Sequence, residues 1–218
     1  MNAANTPKWL RFLERYLGWI AIPNIGILFV TLQALGFLLV AADPVWIDRL
    51  ALYPTLVHIG EYWRLITFLS LPISTSPFWV IFVLWFIYYI FGTIEKEWGS
   101  FKTTFYVLIS VLLTIAVSML FNYPVLQASD FESTLFLAAA AFFPEAEVQL
   151  FFVIPVKMRW LGWLTLLFLV VRFVGADFVG RIYLLAIYFN YFLFFGPAVV
   201  QRIRYRIRRE TFKRRMKP

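Results

Sequence analysis

The 218-residue chain has no cysteine and a single histidine, His58. The first absence removes disulfides, thiolate nucleophiles and cysteine-ligated zinc, and leaves the redox compartment open. No metal-ligand spacing and no glycine-rich phosphate loop occurs, so neither a metal nor a cofactor is expected. Charge is also scarce. Charged residues make up 15% of the chain against 62% hydrophobic ones, and the mean hydropathy is +0.78. A soluble domain of this size could not hide that much apolar surface. The composition therefore predicts an all-α, polytopic membrane protein. The aromatic content, 21% and mostly Phe, suits lipid-facing and interfacial positions.

Apolar runs predict six helical spans, at about 22–40, 78–91, 104–121, 131–144, 160–173 and 182–200. Asn122-Tyr123-Pro124 breaks the third run. The fourth, FESTLFLAAAAFFP, is short and alanine-rich, as suits a helix in the middle of a bundle. ADPVWIDRLALYPTLVHIGEYWRLITFLSLPISTS, after span one, is too apolar for a solvent loop and reads as short helices lying in the membrane interface. An amphipathic piece, PEAEVQLFFVIPVKMRW, leads into span five, and GADFVG turns the chain into span six. No repeat or low-complexity linker divides the chain. Residues 22–200 form one membrane domain, between an N-terminal segment at 1–21 and a basic tail at 201–218. The opening WLRFLERYLGWIAIP lacks a small-residue cleavage site, so no removable signal peptide is expected.

With six spans both termini share a side, which receives sixteen of the twenty Lys/Arg residues. Arg49, Arg64, Arg172 and Arg181 fall on the other. That asymmetry predicts cytoplasmic termini, and the compact length suggests a bacterial inner membrane. The tail QRIRYRIRRETFKRRMKP carries nine basic residues against Glu210. Such a run can be a nucleic-acid arm, but directly after an apolar span it reads as a tail held by anionic lipid headgroups, without nucleic acid as a partner.

Several motifs stand in a fixed order. Glu61-Tyr62-Trp63-Arg64-Leu65 lies in the first loop, Gly92, Glu95 and Gly99 end span two, Tyr106 follows, and LFFVIPVKMRWLGW precedes span five. Together these resemble the rhomboid superfamily over about residues 62–196. The resemblance implies a six-helix transmembrane bundle with a membrane-lying first loop. Each matched residue also has a structural use. Trp63 can anchor at the interface and Arg64 can cap carbonyls of the loop's short helices. Glu95 can pair with Lys96, Lys102 or a neighbouring helix end, and Gly92 and Gly99 allow close helix contact and a tight exit.

The same resemblance implies a catalytic serine in G-x-S-G on span four, a histidine on span six, and a His/Asn pair on span two. Counting back from Glu95 places Trp79 and Val83 at the span-two positions, which lack that chemistry. Counting back from Pro144 lays Gln127-Ala128-Ser129-Asp130 over G-x-S-G; Ser133 is the other candidate nucleophile. Span six, RIYLLAIYFNYFLFFGP, has no histidine in any register, and no lysine stands between Lys102 and Lys157 or between Lys157 and Lys213. A serine without a base is not nucleophilic near neutral pH. His58 lies outside the dyad position and reads as solvated or interfacial. Asp130 and Glu132 read as a water-facing acidic pair. Asn190, in the middle of span six, serves either as a polar grip on another helix or as an internal clamp.

The expectation is a non-catalytic rhomboid-like membrane protein, similar in logic to the derlins, that binds transmembrane helices of other proteins or locally perturbs the bilayer. The alternatives are an active intramembrane serine protease with a non-standard base, or an accessory subunit of a larger membrane complex. Transport is disfavoured because intramembrane charge is nearly absent.

Overall fold

The computed structural model describes residues 8–150 and 154–194. The described residues are mostly helical. An amphipathic helix α1 (Lys8–Leu17) precedes α2 (Ile25–Ala42), and the first loop then holds α3 (Trp46–Leu50), α4 (Pro54–His58) and α5 (Arg64–Thr67). Next come α6 (Pro77–Trp98), α7 (Ser100–Phe121) and α8 (Ser129–Phe142). A short antiparallel hairpin, β1 (Glu147–Leu150) with β2 (Ile154–Lys157), leads to α9 (Met158–Gly175) and α10 (Phe178–Phe194).

Four of these helices, α2, α6, α7 and α9, are long and apolar enough to cross a membrane. They leave large apolar side chains uncovered. On α9 alone, Leu164, Leu167, Phe168, Val171 and Val174 are all exposed. Water would not tolerate so continuous a surface, and lipid would. The protein is an integral membrane protein with several apolar helices. The shorter α8 is covered almost all round, as its alanine-rich sequence suggests.

Helix limits differ from the hydropathy reading in instructive ways. Span two was expected to stop at Phe91, yet α6 continues through the charged turn to Trp98. Trp98 is buried in an aromatic cluster with Tyr106, Phe142 and Phe194, so packing holds the last turns that hydropathy alone would release. Gly99 ends α6 with φ +88 and starts α7 at once, a conformation that favours glycine. α10 is helical from Phe178, ahead of the expected start at Ile182; the expected end of span six and the tail lie outside the described residues. Within the N-terminal segment, α1 packs Trp9, Leu13 and Leu17 on the core and leaves Arg11, Phe12, Arg15 and Tyr16 exposed. The piece before span five is a hairpin, pairing Glu147 with Lys157 and Val148 with Val156.

The first loop is tied down on several sides. Leu52 and Val125 exchange backbone hydrogen bonds of 3.1 and 2.9 Å, joining the loop to the α7–α8 connection. On α2, Gln33 donates its amide to the Leu69 carbonyl at 2.7 Å. Three residues along, Gly36 runs so close to the Ser70 carbonyl that an added Cβ would lie 1.7 Å from its oxygen. Arg64, only 5% exposed, donates Nε to Glu61 at 2.6 Å and Nη1 to the carbonyls of Asp48 (2.6 Å) and Ala51 (2.8 Å). Its neighbour Trp63 faces outward instead, 55% exposed, together with Ile59, Tyr62 and Ile66.

Candidate functional site

The site is built around α8. On one side α8 packs against α6, with Phe136 on Phe86 at a centroid distance of 5.7 Å. On another it packs against α9, where Ala140 meets Gly162 and the Asp130 carboxylate is paired in two contacts with the Arg172 guanidinium. Phe131 lies against Phe29 of α2 at 5.2 Å. The flanking helices α6 and α9 have at most a glancing contact with each other. The part of α8 between them is therefore incompletely covered. Ser129, Ser133, Phe136 and Ala140 are its partly exposed residues there, at the 4-3-4 spacing of one helix face. α8 thus shows a partly exposed stripe along the line between α6 and α9.

The candidate serines lie on that stripe, but their surroundings are not those of a nucleophile. Ser133 Oγ donates to the Ser129 carbonyl one turn back, at 2.7 Å. His58 is exposed at the end of α4 in the first loop. At the span-two positions, Trp79 is exposed and Val83 is partly buried against the core. Neither offers the paired donors of an oxyanion site.

The reading of Asp130 and Glu132 as a water-facing pair is corrected: both are buried, at 3% and 8% exposure. They point to opposite sides of α8, about 200° apart at two residues' separation. Asp130 has its cation in Arg172. Glu132 has none, and neither of its carboxylate oxygens finds a hydrogen-bond partner among the described residues. Hydropathy shows two acids in one apolar segment; only the packing shows that one is neutralised and the other is not.

No family model, curated protein or solved structure matches this chain. Function therefore rests on the site alone.

The other singled-out residues have internal, structural partners. Asn190 is fully buried and donates Nδ2 to the Tyr106 carbonyl at 3.0 Å and to Ser110 Oγ at 2.5 Å. Its amide ties α10 to α7 from within the bundle and presents no grip at the surface. Glu95 accepts from the Asn24 backbone N–H at 2.9 Å and from Ser100 Oγ at 2.5 Å, so it joins the start of α2 and the start of α7 to the end of α6. Neither Lys96 nor Lys102 is its partner; Lys102 instead lies 3.7 Å from Glu14 of α1. Gly92 does not mark close helix contact, because a Cβ there would meet nothing within 4 Å. It opens instead on a pocket of about 340 Å³ shared with Asn24, Tyr88 and Lys96. Near the hairpin, a hydrogen bond from Lys157 holds the Glu145 carboxyl below its ordinary range, and the nearby Arg159 guanidinium adds to the effect. Among the described residues, no group of three or more His, Asp or Glu side chains could hold a metal ion.

Proposed function

We propose that this chain is a catalytically inactive, rhomboid-like protein of six spans whose lateral cleft receives transmembrane helices of other proteins. The observation that supports this is the partly exposed stripe Ser129–Ser133–Phe136–Ala140 on a helix whose other residues, Ala141 apart, are buried, flanked by two helices that barely touch. A small-residue and hydroxyl-bearing helix face is the kind of surface on which another helix packs closely in lipid. The resemblance of the first-loop, Gly92–Gly99 and span-five motifs to rhomboids supports the six-span arrangement, with α8 and α10 as spans four and six. The sixteen basic residues on one side support cytoplasmic termini, and a bacterial inner membrane is proposed as the site. A reporter fused after Asp177 should then lie opposite one fused after Pro218. Local perturbation of the bilayer is supported as a companion effect by the outward-facing Ile59, Tyr62, Trp63 and Ile66 of the first loop.

The test uses the full chain in phosphatidylcholine vesicles with a photo-crosslinking phenylalanine analogue at position 136, or at the exposed position 164 of α9 as the lipid-facing comparison. A defined leucine–alanine transmembrane peptide should form more adduct at 136 than at 164. Equal or lower labelling at 136 would remove the cleft as a helix site.

A further inference from the structure

We propose that Glu132 makes the cleft selective for transmembrane helices that carry a lysine or arginine in their outer half. This rests on the helix-receiving reading above and names the partner's chemistry. Two acids stand in the first turn of α8, and Arg172, which pairs there among the described residues, is committed to Asp130 on the opposite side of the helix. Glu132 keeps two buried oxygens without a partner among the described residues. A buried polar group in that state raises the energy of the empty protein, and a donor that arrives with a ligand removes the penalty.

Position makes such a partner reachable. Glu132 lies about 40° round the helix from Phe136 and about 60° from Ser129, at the edge of the uncovered stripe. A glutamate has three side-chain torsions, and in this proposal its carboxylate turns toward the stripe to meet the incoming donor. A lysine or arginine in an apolar span is itself unfavourable and is found where it meets an opposite charge. Pairing it with Glu132 relieves both groups at once. An all-leucine helix offers the buried carboxyl neither a donor nor an opposite charge. In the proposed topology α8 begins at the outer face, which places the basic residue in the outer half of the incoming helix.

The experiment compares two transmembrane peptides, identical except for one lysine or one leucine in the outer quarter, against the full chain with the crosslinker at position 136. The expected result is about tenfold more adduct with the lysine peptide, corresponding to about 1.4 kcal/mol, and loss of that preference in Glu132→Gln. Glu132→Leu should also lose the preference while melting at the same or a higher temperature, because it removes an unsatisfied group. Equal adduct from both peptides at 136, above the lipid-facing position, would overturn the selectivity and leave the helix-receiving cleft standing. A lysine preference that survives Glu132→Gln, or a Glu132→Leu variant that melts markedly lower, would also overturn it. Failure of both peptides to exceed the lipid-facing position would remove the cleft and the selectivity together.

Discussion

Replacing Arg64 by alanine tests how the first loop is held. The guanidinium makes three charge-assisted hydrogen bonds, to Glu61 and to the carbonyls of Asp48 and Ala51, and lies 5.6 Å from the Tyr53 ring centroid. Its removal does not cost the gross strength of all three. Asp48 is exposed and Glu61 partly so, and both can regain water. Ala51 is fully buried, so its carbonyl loses a donor that nothing replaces. One unsatisfied carbonyl costs about 1–3 kcal/mol and the lost charged bonds add to it, so a destabilisation of about 3 kcal/mol is expected. At the usual scaling for a chain of this size, the melting temperature in detergent should fall by roughly 10 °C. Arg64→Lys should recover only part of this, since an ammonium cannot span the three acceptors as the planar fork does. Trp63→Ala is the internal comparison. Its ring faces outward, so in detergent it should cost under about 1 kcal/mol and show its effect only in bilayers. Equal melting shifts for Trp63→Ala and Arg64→Ala would refute this account of the loop.

Two glycines on different helices should respond with opposite sign to alanine. Gly36→Ala drives a Cβ into the Ser70 carbonyl and should destabilise by about 1–3 kcal/mol or more, whereas Gly92→Ala meets open space and should stabilise α6 by up to about 1 kcal/mol in thermal melts. A fluorophosphonate probe should label the protein no more than background, because among the described residues no histidine or lysine stands beside Ser129 or Ser133; labelling lost in Ser129→Ala or Ser133→Ala would restore the protease reading. The pH response concerns the hairpin. Glu145 has a depressed pKa, so its contribution is present above the ordinary carboxylate range and disappears as pH falls through the folded value. Amide exchange at Met158 and Arg159, whose N–H groups bond to Ala146 and Pro144, should therefore speed up in acid beyond the intrinsic rate, and Glu145→Gln should abolish that pH dependence.

What the sequence determined by itself is what depends on local composition and period. The membrane class follows from apolar content, and the long helices from runs that any α-helix in lipid must have, since its backbone has no other partner there. The break at Asn122 was legible because the residue after a helix must leave helical space, and Asn122 does so with φ +51. Short helices in the first loop were legible from half-apolar patterning. The continuation of α6 to Trp98 was not, because it depends on aromatic rings supplied by α7, α8 and α10. Neither was the buried Gln33, whose acceptor lies 36 residues away. The candidate site divides in the same way. Sequence named Ser129, Ser133, Asp130 and Glu132 as polar residues on one short helix. Only the packing of the helices decided that the serines lie on a partly exposed stripe, that Asp130 is matched by a guanidinium 42 residues on, and that Glu132 is buried without a hydrogen-bond partner among the described residues. The charge of a side chain is written in the chain; whether it is answered depends on which distant residue the fold brings beside it.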